Sequence, residues 1–439
     1  MTPQSRARLD HFTVRQLLEM EACTRCGECI AWCPTYTAAR SLSESQAEAA
    51  PASTQGQGLG APPAVSRTSG GFEEITPLSK ISRFRAFWKG QHGGWLARLF
   101  GLRPPEESDV AAFGQGTYQC TLCGRCAVVC PVHIRTRDLW ISLREQLVDW
   151  HAYPQVFDTL RERVGSVHNI SGDDNHQRLI WAENLEEWPA MVVPGQPVET
   201  IYFVGCVASF YPTVYTVPQD FVTVLRRVGA DFAVLGGEEW CCGFPLVIAG
   251  MGEAARTLAA HNVQLVREAG ARRLVTTCPS CYHTWCHTYP ELLGEALGFE
   301  VFHATEWLAA QVRGSKLPLR PLEMKVTYHD PCDLGRTSGL YEPPREVLRA
   351  IPGLELVEMA ENREHALCCG GGGDVEMGSP ELTEGVAHLR LEQARATGAE
   401  VIATACQQCK RTLAAQARKE RVRLRVVDVA ELVRKALEG

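Results

Sequence analysis

Residues 22–36 read ACTRCGECIAWCPTY, and about ninety residues later residues 119–133 read QCTLCGRCAVVCPVH. Cys23, Cys26, Cys29 and Cys33, followed by Pro34, form C-x2-C-x2-C-x3-C-P, and Cys120, Cys123, Cys126 and Cys130, followed by Pro131, form it again. Two such quartets in one chain pose the question of what so many thiols hold.

Three thiolates spaced by two residues wrap one face of a cubane, while the fourth, a helical turn further on, reaches the other cluster in two-cluster ferredoxins. By that rule Cys23, Cys26, Cys29 and Cys130 hold one [4Fe-4S] cluster, and Cys120, Cys123, Cys126 and Cys33 hold the other. Structural zinc also uses C-x2-C pairs, but two Pro-terminated quartets favour iron and sulfide over it.

The rest of the composition narrows the setting. At 439 residues the chain has room for two or three domains, and a net charge of -7 with pI near 6.0 gives no overall pull toward nucleic acid or an anionic membrane. No secretory apolar core follows the N-terminus. The longest uncharged run, Thr200 to Gln219, is broken by Pro212 and Pro218 and reads as a buried strand rather than a membrane span. The expectation is a cytoplasmic chain without a transmembrane segment of its own. Nineteen cysteines in such a chain point to metal binding rather than disulfides.

Residues 41–72 are rich in Ser, Ala, Gly, Pro and Gln and are expected to form a flexible insert between the quartets. Helices are expected from Pro105 into the second quartet and from Arg137 to about Trp150. From about residue 198, short apolar strands alternate with amphipathic helices: ETIYFVGC leads to Cys206, GARRLVTTC to Cys278, MKVTYHDPC to Cys332 and GAEVIATAC to Cys406. Such alternation predicts parallel, Rossmann-like sheets. The fold class is therefore an α-helical ferredoxin domain followed by an α/β tandem, with 1–150, a connecting segment at 151–197, a first repeat at 198–320 and a second at 321–439.

That second half repeats itself. Cys206 maps to Cys332, Cys241 and Cys242 to Cys368 and Cys369, and Cys278 and Cys281 to Cys406 and Cys409, at offsets of 126, 127 and 128 residues. Several of these cysteines fall where a strand gives way to a helix, where ligands gather in open α/β sheets. Five thiols per repeat exceed what a plain cubane needs, and adjacent cysteines fit one poorly, so an unusual cluster is implied.

This arrangement resembles the CCG domain of the heterodisulfide reductase family. Ferredoxin quartets ahead of two CCG units resemble the D-type chain of that family, and CPSCYHTW, HDPCDLGR, PPREVLRAIPG and CCGGGG look most like the DsrK-type chain of Hdr-like menaquinol oxidoreductases. The resemblance implies two cubane clusters and one or two noncubane [4Fe-4S] clusters that cleave a disulfide. It implies a membrane cytochrome b-type partner handling menaquinol, and a disulfide or trisulfide substrate, either a small molecule or one carried on a small DsrC-like thiol protein. The chain would then associate with the membrane peripherally, through its partner. Reducing a disulfide takes two electrons while a cluster passes one at a time, which gives neighbouring clusters a purpose and makes the cubane pair a relay. The alternative is an electron-transfer component of a flavin-dependent 2-hydroxyacid or glycerol-3-phosphate oxidase, families that also fuse ferredoxin motifs to CCG units; a cluster-bearing scaffold is a third.

Some residues carry two readings. His329 is a candidate proton source and Arg336 a candidate anion holder; against this, they and Asp330 would shape the cluster loop by local hydrogen bonding. Cys286, without a counterpart in the second repeat, reads as a buried apolar thiol, and His283 with His287 as a ligand pair lacking a third member. The Gly370–Gly373 run lacks the Lys and Ser/Thr of a phosphate loop and reads as close backbone approach to cluster sulfurs or room for a substrate tail. Residues 80–103 combine six basic residues with Phe84, Phe87, Trp88, Trp95 and Phe100 and no acid, which suits either a docking surface or a packed helix with a solvated edge. Nothing else supports nucleic-acid binding.

Overall fold

A computed structural model of the chain describes residues 11–49, 73–99 and 103–438. They form two compact units, one drawn from the span Met1–Gln155 together with Gly370–Leu389, the other from Val156–Cys369 and Arg390–Gly439.

The first unit is helical. Its helices span Val14–Ala22, Pro34–Ala49, Pro77–His92, Glu107–Tyr118 and Thr136–Asp149. Thr13 opens the first of these with a reciprocal capping box to Gln16, and Gln16 in turn donates to Ser142 Oγ at 3.0 Å, tying the helix to Thr136–Asp149. The helix Pro34–Ala49 runs through the start of the segment expected to be a flexible insert from residue 41, a correction with a compositional cause: Ala38, Ala39 and Leu42 pack against Ile75, Val375, Leu382 and Gly385. Small residues that cannot build a core alone are good helix formers when a partner surface accepts them. Residues 50–72 of that insert lie outside the described residues, as do 100–102, which include Phe100.

The second unit holds two four-stranded parallel sheets. In the first, β1 (Thr200–Phe203), β2 (Phe232–Ala233), β3 (Arg273–Thr276) and β4 (Glu300–His303) lie in the order β2-β1-β3-β4. In the second, β5 (Met324–His329), β6 (Leu354–Val357), β7 (Val401–Thr404) and β8 (Arg425–Asp428) lie in the order β6-β5-β7-β8, the same topology. The chain departs in opposite directions from β1 and β3, and likewise from β5 and β7, so a crevice opens beyond their carboxyl ends. Cys206 follows β1, Cys278 follows β3, Cys332 follows β5 and Cys406 follows β7, which puts all four at those two crevices.

One apolar core serves both sheets. Tyr202 and Val275 of the first share it with Val326, Tyr328, Val401 and Ala403 of the second, together with helix residues such as Phe221, Leu308, Leu348 and Val433. Residues expected to be a mere connector are part of it, because Leu179, Trp181 and Ala182 are buried there. The uncharged run opens on a fully buried strand, Thr200–Phe203, and continues into the helices Cys206–Phe210 and Thr216–Arg227; no described helix is long and apolar enough to cross a membrane.

Candidate metal centres

Each quartet loop is shaped by two left-handed residues, Arg25 and Gly27 in the first and Leu122 and Gly124 in the second. Gly27 (φ +81°) and Gly124 (φ +76°) each start a four-residue helix, Glu28–Ala31 and Arg125–Val128. Gly124 has open space where a Cβ would stand, so its backbone conformation, not crowding, requires glycine.

The two loops bring together thiols that lie far apart in sequence. Cys23, Cys26, Cys29 and Cys130 line one cavity with Cys126, Pro77, Ile81 and Ile134, a space of about 420 Å³ that includes open solvent. Cys33, Cys120, Cys123 and Cys126 line a second, of about 330 Å³, with Trp32, Lys80 and Trp140. Burial pushes the Cys29 thiol up to about 11, and the neighbouring Cys23, Cys26 and Cys130 add to the rise. Burial likewise raises Cys33 and, further, Cys126. Neutral thiols are thus favoured until a cation deprotonates them, as soft metals do. Cys126 lines both cavities, and the remaining thiols divide between them as two four-iron clusters with four thiolates each would require.

Lys80 and Arg144 support this unit from inside. Lys80 donates to Ile75 O and lies 5.8 Å from the Trp140 ring. Arg144, fully buried, donates to Cys120 O at 2.8 Å and to Gly373 O at 3.0 Å. The Gly370–Gly373 run meets backbone: Cβ atoms would fall 2.3 Å from Thr383 O at Gly370, 2.8 Å from Thr121 O at Gly372 and 2.2 Å from Cys120 O at Gly373. Close backbone packing, rather than room for a substrate tail, explains the missing side chains.

In the first repeat five thiols form a chain of contacts. Cys206 bonds Cys241, Cys241 bonds Cys242, Cys281 donates to Cys242 at 3.5 Å, and Cys278 bonds Cys281. The hydrogen bonds from Cys241 and Cys281 pull the Cys242 thiol down to about 6, and the bond with Cys281 also lowers Cys278. In the second repeat Cys368, Cys369, Cys409 and Cys406 are joined in the same sequence. Cys369, the counterpart of Cys242, is held well below the usual thiol range by Cys368 and Cys409 and then by His329. Cys332 differs: it is half-buried, and among the described residues its thiol makes no hydrogen bond to the other four.

The two groups adjoin. Cys278 is an electrostatic neighbour of Cys406. Gln407, between Cys406 and Cys409, donates to Thr277 Oγ1 at 2.7 Å and to Val204 O at 3.2 Å. Ser280, between Cys278 and Cys281, donates to Asp333 Oδ2 at 2.6 Å beside Cys332. Each C-x2-C turn thus reaches into the other repeat.

The remaining candidates divide. His329 is buried at the end of β5, and one of its ring nitrogens lies within 4.8 Å of the sulfurs of Cys369 and Cys409. Arg390 Nε donates to its Nδ1 at 3.0 Å; since a guanidinium cannot accept, Nδ1 is the unprotonated nitrogen of a neutral ring. Desolvation by burial is the main cause that lowers the His329 pKa. Arg336 donates to Ala366 O at 2.7 Å and Glu364 O at 3.1 Å, which shapes the approach to Cys368. Asp330 is held by both guanidinium nitrogens of Arg345, at 2.6 and 2.8 Å.

Cys286 is half-buried beside Tyr282 and Glu306 rather than in the core, on a groove with Pro290 and Phe299. The rings of His283 and His287 lie 4.9 Å apart, and among the described residues no third metal-binding group joins them. The basic aromatic segment splits: Phe84 and Phe87 pack inward on Phe12, Phe113 and Trp150, while Trp95 (73 % exposed) and Leu99 (71 %) face outward.

Sequence reasoning missed several residues around the thiols. Arg178 and Asn262 sit in no motif; Asn262 Nδ2 donates to Cys241 O at 3.3 Å and to Tyr289 OH at 3.0 Å. Glu239 and Gln407 were legible only as neighbours of CCG and C-x2-C.

Comparison with known proteins gives two kinds of match. Residues 19–134 match the 4Fe-4S dicluster domain family, and residues 200–285 and 326–414 match the cysteine-rich CCG domain family. The chain is 35 % identical, over 97 % of its length and 96 % of the relative's, to the D-type component of the dihydromethanophenazine:CoB--CoM heterodisulfide reductase of Methanosarcina barkeri. It is 28 % identical over 98 % of its length to the EtfAB:quinone oxidoreductase of Syntrophomonas wolfei, of which it spans 60 %. It is also 29 % identical over 76 % of its length to the B-type component of the fumarate reductase (CoM/CoB) of Methanothermobacter marburgensis, of which it spans 65 %.

Proposed function

We propose, from the premise that this chain belongs to the D-type heterodisulfide reductase family, that it is the disulfide-handling iron–sulfur subunit of a quinone-linked complex. The coarser statement needs no proposal: it is an iron–sulfur oxidoreductase subunit. In the proposed reaction a disulfide or trisulfide takes up two electrons and two protons, one sulfur–sulfur bond breaks, and two sulfhydryl groups leave; the reverse direction releases the same two electrons. A membrane cytochrome b-type partner exchanges those electrons with the quinol pool, and the chain sits on the cytoplasmic side through that partner.

The observation that carries the reading is the adjacency of the two cysteine groups, with Cys278 beside Cys406 and each C-x2-C turn hydrogen-bonded to the other repeat. Two noncubane centres so placed would bracket one sulfur–sulfur bond, and the clusters supply one-electron exchange and iron sites for thiolate sulfur when bound. Cys206, Cys241, Cys242, Cys278 and Cys281 would hold one, Cys332, Cys368, Cys369, Cys406 and Cys409 the other. The quartets, Cys23, Cys26, Cys29 with Cys130 and Cys120, Cys123, Cys126 with Cys33, would hold the cubanes that relay electrons. His329, an N–H donor beside Cys369, is placed to steady a sulfur as charge develops there.

The test is an electron paramagnetic resonance titration of the oxidised, iron-loaded chain with candidate thiols. A thiol-dependent signal that disappears in Cys241→Ser or Cys368→Ser supports the reading, and no thiol-dependent signal in the fully loaded chain refutes it. The similarity to the EtfAB:quinone oxidoreductase favours a second reading, an electron-transfer component serving a flavoprotein oxidase. Reduction by a flavoprotein partner without any thiol response would select it.

A further inference from the structure

The two cysteine groups repeat in topology but differ in the charges packed against them. Arg178, from the segment ahead of β1, is 1 % exposed; it donates through Nη2 to Cys206 Sγ at 3.5 Å and through Nη1 to Glu239 Oε1 at 2.9 Å, and Glu239 is equally buried. The Glu239 oxygens also accept from the backbone N–H groups of Val204 (2.9 Å) and Gly205 (2.8 Å), the turn that delivers Cys206. Asn175 Oδ1 accepts from Arg178 Nε at 3.3 Å, and the ring of Phe210 lies 5.3 Å from the guanidinium.

At the matching positions of the second group the residues differ. Two residues before its CCG stands Ala366 where the first has Glu239, and at the end of β5 stands His329 where β1 ends in Phe203. There the polar neighbour of the sulfurs is a neutral imidazole braced by Arg390. A full guanidinium on a thiolate sulfur, in a buried site, stabilises the extra electron of a reduced centre more than a neutral N–H does.

We propose that Arg178 is a positioning residue that fixes the Cys206 sulfur and, with Glu239 as its counter-charge, sets the reduction potential of the first CCG centre apart from that of the second. The two centres are then unequal partners, which suits a reaction that moves two electrons in two steps. This inference rests on the proposed occupation of both groups by iron–sulfur centres.

The experiment is a potentiometric titration, read by paramagnetic resonance, of the iron-loaded chain and its Arg178→Gln, Arg178→Lys and Glu239→Gln variants, with Cys241→Ser and Cys368→Ser assigning each signal to its centre. Arg178→Gln leaves Glu239 unbalanced and is expected to lower the potential of the first centre alone; Arg178→Lys restores most of it; Glu239→Gln shifts it the opposite way. A scaffolding role would move both substitutions in the same direction through lost iron, so opposite signs at full iron content are the discriminating result. If Arg178→Gln does not fold, the Arg178→Lys and Glu239→Gln pair carries the same test. Unmoved potentials, or equal shifts in both centres, overturn the inference, whereas failure of the wild-type chain to show either centre overturns the functional reading instead.

Discussion

Replacing Asp330 with Asn tests whether the approach to Cys332 is held by charge. Its carboxylate faces Arg345 Nη1 and Nη2 at 2.6 and 2.8 Å and accepts the Arg363 N–H at 2.9 Å, and the guanidinium is wholly buried. Removing one member of a buried ion pair costs about 3–5 kcal/mol. Here Arg345 keeps Glu358, at 2.6 Å from Nε and 2.9 Å from Nη2, so the expected loss is lower, about 2–4 kcal/mol. That corresponds to a fall in Tm of roughly 4–8 °C for a unit of this size. The assay is thermal unfolding beside Arg349→Ala, whose partner Glu342 lies 3.4 Å away on the surface and whose loss costs under about 0.5 kcal/mol. The double variant Asp330→Asn with Arg345→Met removes the stranded cation and is expected to recover part of the loss. A single variant no less stable than the surface control, or a double variant worse than the sum of its parts, would refute the reasoning.

Cys23→Ser and Cys130→Ser are expected to remove the same cluster, and Cys33→Ser and Cys120→Ser the other; iron content of the double variant Cys23→Ser with Cys130→Ser should then match either single, and additive iron loss would contradict the crossed pairing. Burial pushes the Asp428 carboxyl up to about 7. The folded chain therefore holds a proton that the unfolded chain has released, so this site's contribution is complete below the unfolded pKa and is lost as pH rises through about 7. Asp428→Asn stays neutral and keeps an acceptor for Ala430 N–H, now 2.9 Å away, so the denaturation midpoint should fall less between about pH 5 and about pH 8 than in the wild type; an unchanged slope sinks this account. Gly373→Ala, at φ +65° with Cys120 O only 2.2 Å from the new Cβ, should destabilise far more than Gly294→Ala, at φ +70° in open space, whose cost is about 1 kcal/mol; equal melting temperatures would show that the loop yields freely.

Local spacing made much of this legible. The quartets announce their own loops because C-x2-C-x2-C closes on itself within a few residues, and the strands before Cys206, Cys278, Cys332 and Cys406 are apolar runs ending in turn residues. The helix Pro34–Ala49 was hidden because its Ala- and Ser-rich sequence carries few large apolar residues; the surface that accepts it comes from residues near 75 and 382. Arg178 was invisible for a related reason: an arginine between two domains reads as solvated until the fold closes over it.

The order of the amino acids alone determined that the cysteines come in two quartets and two quintets, and that the quintets sit on repeated strand–helix units, since those are matters of spacing and periodicity. Only the tertiary structure decided which thiols meet, that Cys332 is half-buried while Cys206 is buried and gripped by Arg178, and that Gly370, Gly372 and Gly373 answer to the carbonyls of Thr383, Thr121 and Cys120. Burial and desolvation arise from contacts between distant segments, and those energies, not local pattern, distinguish one cysteine of a repeat from its counterpart.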